Sequence, residues 1–284
     1  MGGLDLVSGW PVGSAAVGVL ASASPDGGPV TVLGTTGDVD RSFPWASVTK
    51  PVTALAVLVA VEEGTLDLDA PGGPPGSTVR HLLAHASGLG FEGGVVDRPG
   101  ARRLYSNAGF GVLGDVLAGA AGMSFTDYLH DGVLEPLGMR RVELRSDDGA
   151  PEAAAGLYGP LGDLMAVARE LAAPTLVSGD TAALARSVAF PGLAGVLPGF
   201  GRFDPCDWGL GVEVRGGKSP HWTGRANSPQ TFGHFGRSGS FLWVDPVAGL
   251  ACCGLADRLF GPWAAAAWPA LADALVAEAL GSPG

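Results

Sequence analysis

The apolar run from Ser47 to Glu63 has the length and composition of a helix, yet it carries a proline at position 51. Proline lacks the amide hydrogen that a helix interior needs and is tolerated only in the first turn. The helix therefore starts at about Ser47, and Gly64 stops it. The segments on either side read differently. Before it, AAVGVLA at 15–21 and VTVLG at 30–34 flank the turn-rich SPDGGP, the pattern of a β-hairpin. After it come the loop PGGPPGS and helical segments near 78–86, 109–121, 124–137, 160–172 and 180–189. From about 207 the chain turns strand-like, as WGLGVEV, SFLWVDP and GLACCGL, and residues 262–280 are again helical.

This order has no regular βα alternation. It predicts an α+β fold whose antiparallel sheet is made from both chain ends around a helical middle. Residues 1–65 and 190–284 are expected to form a discontinuous sheet domain and 66–189 a mostly helical subdomain. At 284 residues, 46% of them hydrophobic and 16% charged, the chain can bury a sizeable core. A net charge of −11 argues against nucleic acid or an anionic membrane as partner. The N-terminus lacks a basic region before its short apolar run, and no apolar stretch reads as membrane-spanning. Cys252 and Cys253 are adjacent in an apolar run, which speaks against a disulfide framework and for a reducing, cytoplasmic setting.

The chain has only two lysines, Lys50 and Lys218, among 17 lysines and arginines. A compositional bias towards arginine accounts for the scarcity. Chemically the two residues differ, because lysine can give up its proton and arginine cannot. Ser47 and Lys50 form an S-x-x-K pattern, which on a helix puts both side chains on one face, one turn apart. A desolvated amine there can accept the serine proton. An N-cap serine beside a surface lysine would give the same spacing. Tyr105-Ser106-Asn107 offers a phenol for proton relay and an amide for substrate or lysine; for the tripeptide alone, an aromatic loop residue followed by an Asn N-cap is the favoured reading. His234-Phe235-Gly236-Arg237 precedes a strand, where glycines let a substrate approach the backbone, or simply make a turn.

Taken together, SVTK, YSN and HFG, in that order, resemble the three motifs of the serine β-lactamase-like hydrolases. These include class C β-lactamases, penicillin-recognising D,D-peptidases and family VIII carboxylesterases. The surrounding blocks ASVTKPVTALAVLVAVEEGTLDLD, STVRHLLAHASGL, YSNAGFGVLGDVLAGAAGMSFTDYLHDGVLEPLGM and FGHFGRSGSFLWVDPVAGL are similar to that family too. The resemblance implies a β-lactamase/transpeptidase-like fold and Ser47 as the acylated nucleophile. Lys50 and Tyr105 would share its activation, and Asn107 would bind substrate or hold the lysine. The backbone N–H groups of Ser47 and Arg237 would receive the oxyanion. His234, Phe235 and Gly236 occupy the third motif, where relatives carry Lys-Thr-Gly or His-Thr-Gly. Phe235 replaces a hydroxyl that usually helps bind a carboxylate, and it suits esters. Arg237-Ser238-Gly239 is an alternative register for this motif, although the following WVDP favours the one starting at His234.

Other motifs lead nowhere. There is no G-x-S-x-G elbow, His81 and His85 lack the glutamate of H-E-x-x-H, and Gly88–Gly93 opens no βαβ unit. Gly217-Lys218-Ser219 is not followed by a helix, so Lys218 reads as a loop residue. The expectation is an acyl-enzyme hydrolase, an esterase or amidase on a small intracellular ester, amide or lactam, with no metal or cofactor. Alternatives are an acyltransferase of secondary metabolism, a β-lactamase or D,D-peptidase, and a non-catalytic binding protein on the same fold.

Overall fold

The computed structural model describes residues 2–21, 30–146 and 149–281. The SPDGGP turn of the expected hairpin lies outside them. Strands β1 (Ala15–Ala21) and β2 (Thr31–Gly37) are antiparallel partners, and β3 (Phe43–Pro44) leads to the turn at 46–48. Further strands are β4 (Glu143–Leu144), β5 (Leu157–Gly159), β6 (Gly195–Leu197), β7 (Gly201–Phe203) and β8 (Glu213–Val214). The last three are β9 (Phe232–Gly236), β10 (Ser240–Asp245) and β11 (Leu250–Ala256). Among the described residues the main sheet has six antiparallel strands in the order β2-β1-β11-β10-β9-β8, drawn from both ends of the chain.

Side-chain alternation divides this sheet between two cores. Leu242, Val244, Ala251 and Cys253 face one, with Val52, Ala56, Leu164 and Ala168. Phe241, Trp243 and Cys252 face the other, with Trp10, Trp268, Leu271 and Leu275. The adjacent cysteines therefore point to opposite sides, and all three thiols are free.

Helices α1 (Thr49–Glu62), α2 (Val79–Leu83), α3 (Asn107–Ala121) and α4 (Phe125–Leu129) follow the predicted segments, α4 continuing into one π turn at 130–134. After them come α5 (Glu152–Ala155), α6 (Leu161–Ala172) and α7 (Gly179–Arg186). Helix α6 falls in the segment expected to be a helical subdomain, and it packs on β1, β10 and β11 of the sheet. Pro51 sits in the first turn of α1, where its missing amide costs nothing. The last helix, α8 (Pro262–Gly281), corrects one reading: it is long and apolar enough to cross a membrane by length and composition. Here Trp268, Leu271, Leu275 and Val276 bury one side of it in the second core.

WGLGVEV also differs from expectation, because only Glu213–Val214 is strand. Gly211 has φ +81°, and a Cβ there would lie 2.1 Å from Cβ of Ala54. The glycine thus turns the chain against α1 and ends the ladder.

Candidate active site

Ser47 lies in the single turn 46–48 that leads into α1, and Ala46 before it adopts φ +45°, a costly conformation for a non-glycine residue. That turn backs onto β9. A Cβ on Gly236 would lie 2.5 Å from the Trp45 carbonyl oxygen and 3.2 Å from Cβ of Ala46, so only glycine lets the third motif approach the serine. One helical turn on, Lys50 is fully buried, not a surface lysine. Its Nζ lies 3.2 Å from Ser47 Oγ, 2.7 Å from Asn107 Oδ1 and 3.0 Å from the Ala154 carbonyl. Burial holds its pKa well below the ordinary lysine value, which favours the free amine.

The YSN segment resolves its two readings. Ser106, not Asn107, caps α3, its Oγ accepting the Gly109 N–H at 2.9 Å. Asn107 is thereby free to hold Lys50. Burial raises the pKa of the Tyr105 phenol, and the Ser47 side chain beside it pulls the other way. Its ring lies 4.8 Å from Lys50 Nζ.

His85, weighed in the sequence only as a zinc ligand and set aside, fixes this tyrosine. Its carbonyl accepts the Leu104 N–H at 2.8 Å, its Nδ1 accepts the Ser106 N–H at 3.2 Å, and its ring lies 4.5 Å from the Tyr105 ring. Arg103 anchors the preceding backbone by donating to the carbonyls of Ala84 (2.8 Å), Cys206 (3.1 Å), Phe190 (3.0 Å) and Ala189.

The third motif takes the register beginning at His234. His234, Phe235 and Gly236 lie in β9, whereas Arg237, Ser238 and Gly239 form the turn to β10. His234 faces Tyr105 and Trp208 at centroid distances of 5.8 and 5.4 Å. Its Nδ1 donates to the Phe235 carbonyl at 2.7 Å, and burial lowers its pKa to about 3, so it is neutral across the working range. Phe235 points the opposite way, into an aromatic group of Phe200, Trp222, Phe260 and Trp268.

All eight sequence-predicted positions thus converge except in side-chain direction: Phe235 faces away from Lys50 and Arg237 reaches solvent. Ser47, Tyr105, Asn107, His234, Phe235 and Arg237 line a cavity of about 710 Å³. Trp208 and Glu213 are deep in it, while Phe91 and Glu92, from the rejected Gly88–Gly93 segment, stand exposed at its rim. Chemically, the arrangement pairs a hydroxyl with a deprotonable amine at hydrogen-bond range beneath an apolar cavity. That is what acyl transfer through a serine requires.

The family model described as Beta-lactamase matches residues 4–276, and the chain belongs to that family. A solved structure of a β-lactamase from Mycobacterium bovis is 51% identical, with a TM-score of 0.91 over 98% of this chain and 99% of that one. Esterase EstB of Burkholderia gladioli is 33% identical over 40% of this chain and 43% of its own length. Penicillin-binding protein 4* of Bacillus subtilis is 30% identical over 39% of this chain and 32% of its own length. The matched region thus spans less than half of each of these two curated relatives.

Proposed function

We propose that this member of the β-lactamase family is a serine hydrolase that forms an acyl-enzyme on Ser47 and acts on a small ester or amide. The observation that carries the reading is the fully buried Lys50 with Nζ 3.2 Å from Ser47 Oγ. In this reading the free amine of Lys50 takes the serine proton as Oγ attacks the substrate carbonyl. The N–H groups of Ser47 and Arg237 receive the developing oxyanion. The proton passes from Lys50 through Tyr105 to the leaving group, and the acyl group remains on Ser47. Water attacks the acyl-enzyme in the second half, activated by the same two residues. An alcohol or amine in place of water would make the same site an acyltransferase.

Esters are favoured because Phe235 and its aromatic neighbours stand where relatives place a carboxylate-binding hydroxyl, and EstB is an esterase. Lactam hydrolysis is the second reading, supported by the description of the Mycobacterium bovis relative as a β-lactamase. Turnover of p-nitrophenyl butyrate against nitrocefin tests the order. The ester is expected to be the better substrate by kcat/KM; a clear preference for nitrocefin would reverse it.

A further inference from the structure

Lys218 is not the exposed loop residue that its sequence context suggests. It is buried, with Nζ 2.8 Å from Glu213 Oε1, and donates to the carbonyls of Asp207 (3.0 Å) and Val214. Glu213 is equally buried and accepts from His221 Nε2 at 3.0 Å and Trp222 Nε1 at 3.1 Å. On its other side His221 Nδ1 lies 2.8 Å from Thr223 Oγ1 and 3.2 Å from the Thr223 amide nitrogen. Burial raises the Glu213 pKa, but the neighbouring His221 and Lys218 outweigh it and lower it to about 2. Within the Glu213–Lys218 ion pair the ammonium compensates the carboxylate.

The position of this pair links it to the site. Glu213 lines the cavity, and its strand partner is Gly233, next to His234. Trp222 packs 5.6 Å from the Phe235 ring, and His221 packs 6.5 Å from Phe200. The buried cavity lining therefore consists of Leu197, Trp208, His234 and this neutralised carboxylate. The other charged groups lining it, Glu92 and Arg237, are on the solvent-exposed rim, where water and salt screen them.

We infer that the Glu213–Lys218 pair is a specificity-determining element of the acyl pocket, and that the pocket selects uncharged, apolar acyl groups because the pair presents no net charge. This rests on Ser47 being the nucleophile. Removing either partner would leave a buried charge that favours its opposite in the acyl group.

The experiment measures kcat/KM for p-nitrophenyl valerate, its ω-carboxylate analogue and its ω-trimethylammonium analogue. Each value is divided by the fraction of enzyme that a fluorophosphonate labels at Ser47, which counts folded sites. The wild type is expected to prefer the neutral ester by at least about tenfold over both charged ones. Lys218→Met should shift the ranking towards the trimethylammonium ester and Glu213→Gln towards the carboxylate ester. The Glu213→Gln/Lys218→Met double variant should return to the neutral ester. Single variants that scale all three substrates by one factor would overturn the inference, and so would a wild type that turns over a charged ester as well as the neutral one. If neither single variant folds, the wild-type ranking and the double variant decide. A wild type that takes no label at Ser47 would instead overturn the reading of the nucleophile.

Discussion

The side-chain oxygen of Asn107 accepts a hydrogen bond from Nζ of Lys50 at 2.7 Å, across the gap between α3 and α1. A neutral acceptor there orients the amine without adding charge. Asn107→Asp would place an anion against it and favour the protonated amine. The acid limb of kcat/KM is expected to move to higher pH by about one unit or more. Asn107→Ala should leave the limb in place and lower the rate about tenfold, the loss of one orienting bond. A pH–rate profile unchanged in Asn107→Asp would show that Lys50 is not the proton acceptor.

The depressed pKa of Lys50 has a consequence for stability. The unfolded chain binds a proton at this lysine more readily than the folded chain, so unfolding takes up a proton as the pH falls below the ordinary value of 10.5. Stability should therefore rise with pH between the lowered pKa and that value, with a slope of up to about 1.4 kcal/mol per pH unit. Urea midpoints at several pH values between 6 and 9, compared with Lys50→Met, isolate this contribution. The variant is expected to show the flatter dependence; parallel curves would contradict a neutral buried amine.

Phe235 joins the third motif to the aromatic group of Phe200, Trp222, Phe260 and Trp268. Phe235→Thr restores the hydroxyl found in relatives and removes that packing. It should cost roughly 3 kcal/mol of stability and lower kcat/KM for apolar esters. Chemical denaturation and ester kinetics on the same preparation measure both effects. Undiminished turnover of apolar esters would show that Phe235 does not shape the acyl pocket.

Gly236 allows the sheet to touch the serine turn, with the Trp45 carbonyl 2.5 Å from where a Cβ would be. Gly236→Ala must displace either β9 or the turn carrying Ser47. Near-attack geometry tolerates little displacement, so activity is expected to fall about 100-fold. Steady-state ester hydrolysis, with circular dichroism to confirm folding, checks it; near-wild-type activity would contradict the contact.

The readable parts of this protein are those with local periodicity. The S-x-x-K spacing put Ser47 and Lys50 one helical turn apart, Pro51 limited where that helix begins, and only the resemblance of the three motifs together singled the pair out. The strands of β1, β10 and β11 were visible as apolar runs. Two- and three-residue strands such as β3, β4 and β5 carry no period and were not expected. The cap expected for α3 was Asn107; the Gly109 N–H contact assigns it to Ser106 instead, which the tripeptide alone does not reveal. His85 acts from a left-handed backbone position, φ +53°, after α2, which no spacing reveals. Glu213, Lys218 and His221 meet through a loop and a strand end, so their pairing exists only in three dimensions.

In the proposed reaction Ser47 carries a covalent acyl group. Mass spectrometry of the protein quenched during turnover of p-nitrophenyl butyrate, with peptide mapping, tests it most directly. One butyryl adduct is expected, located on Ser47, absent in Ser47→Ala and formed far more slowly in Lys50→Ala and Tyr105→Phe. An adduct that persists in Ser47→Ala, or ester turnover unaffected by that substitution, would contradict it.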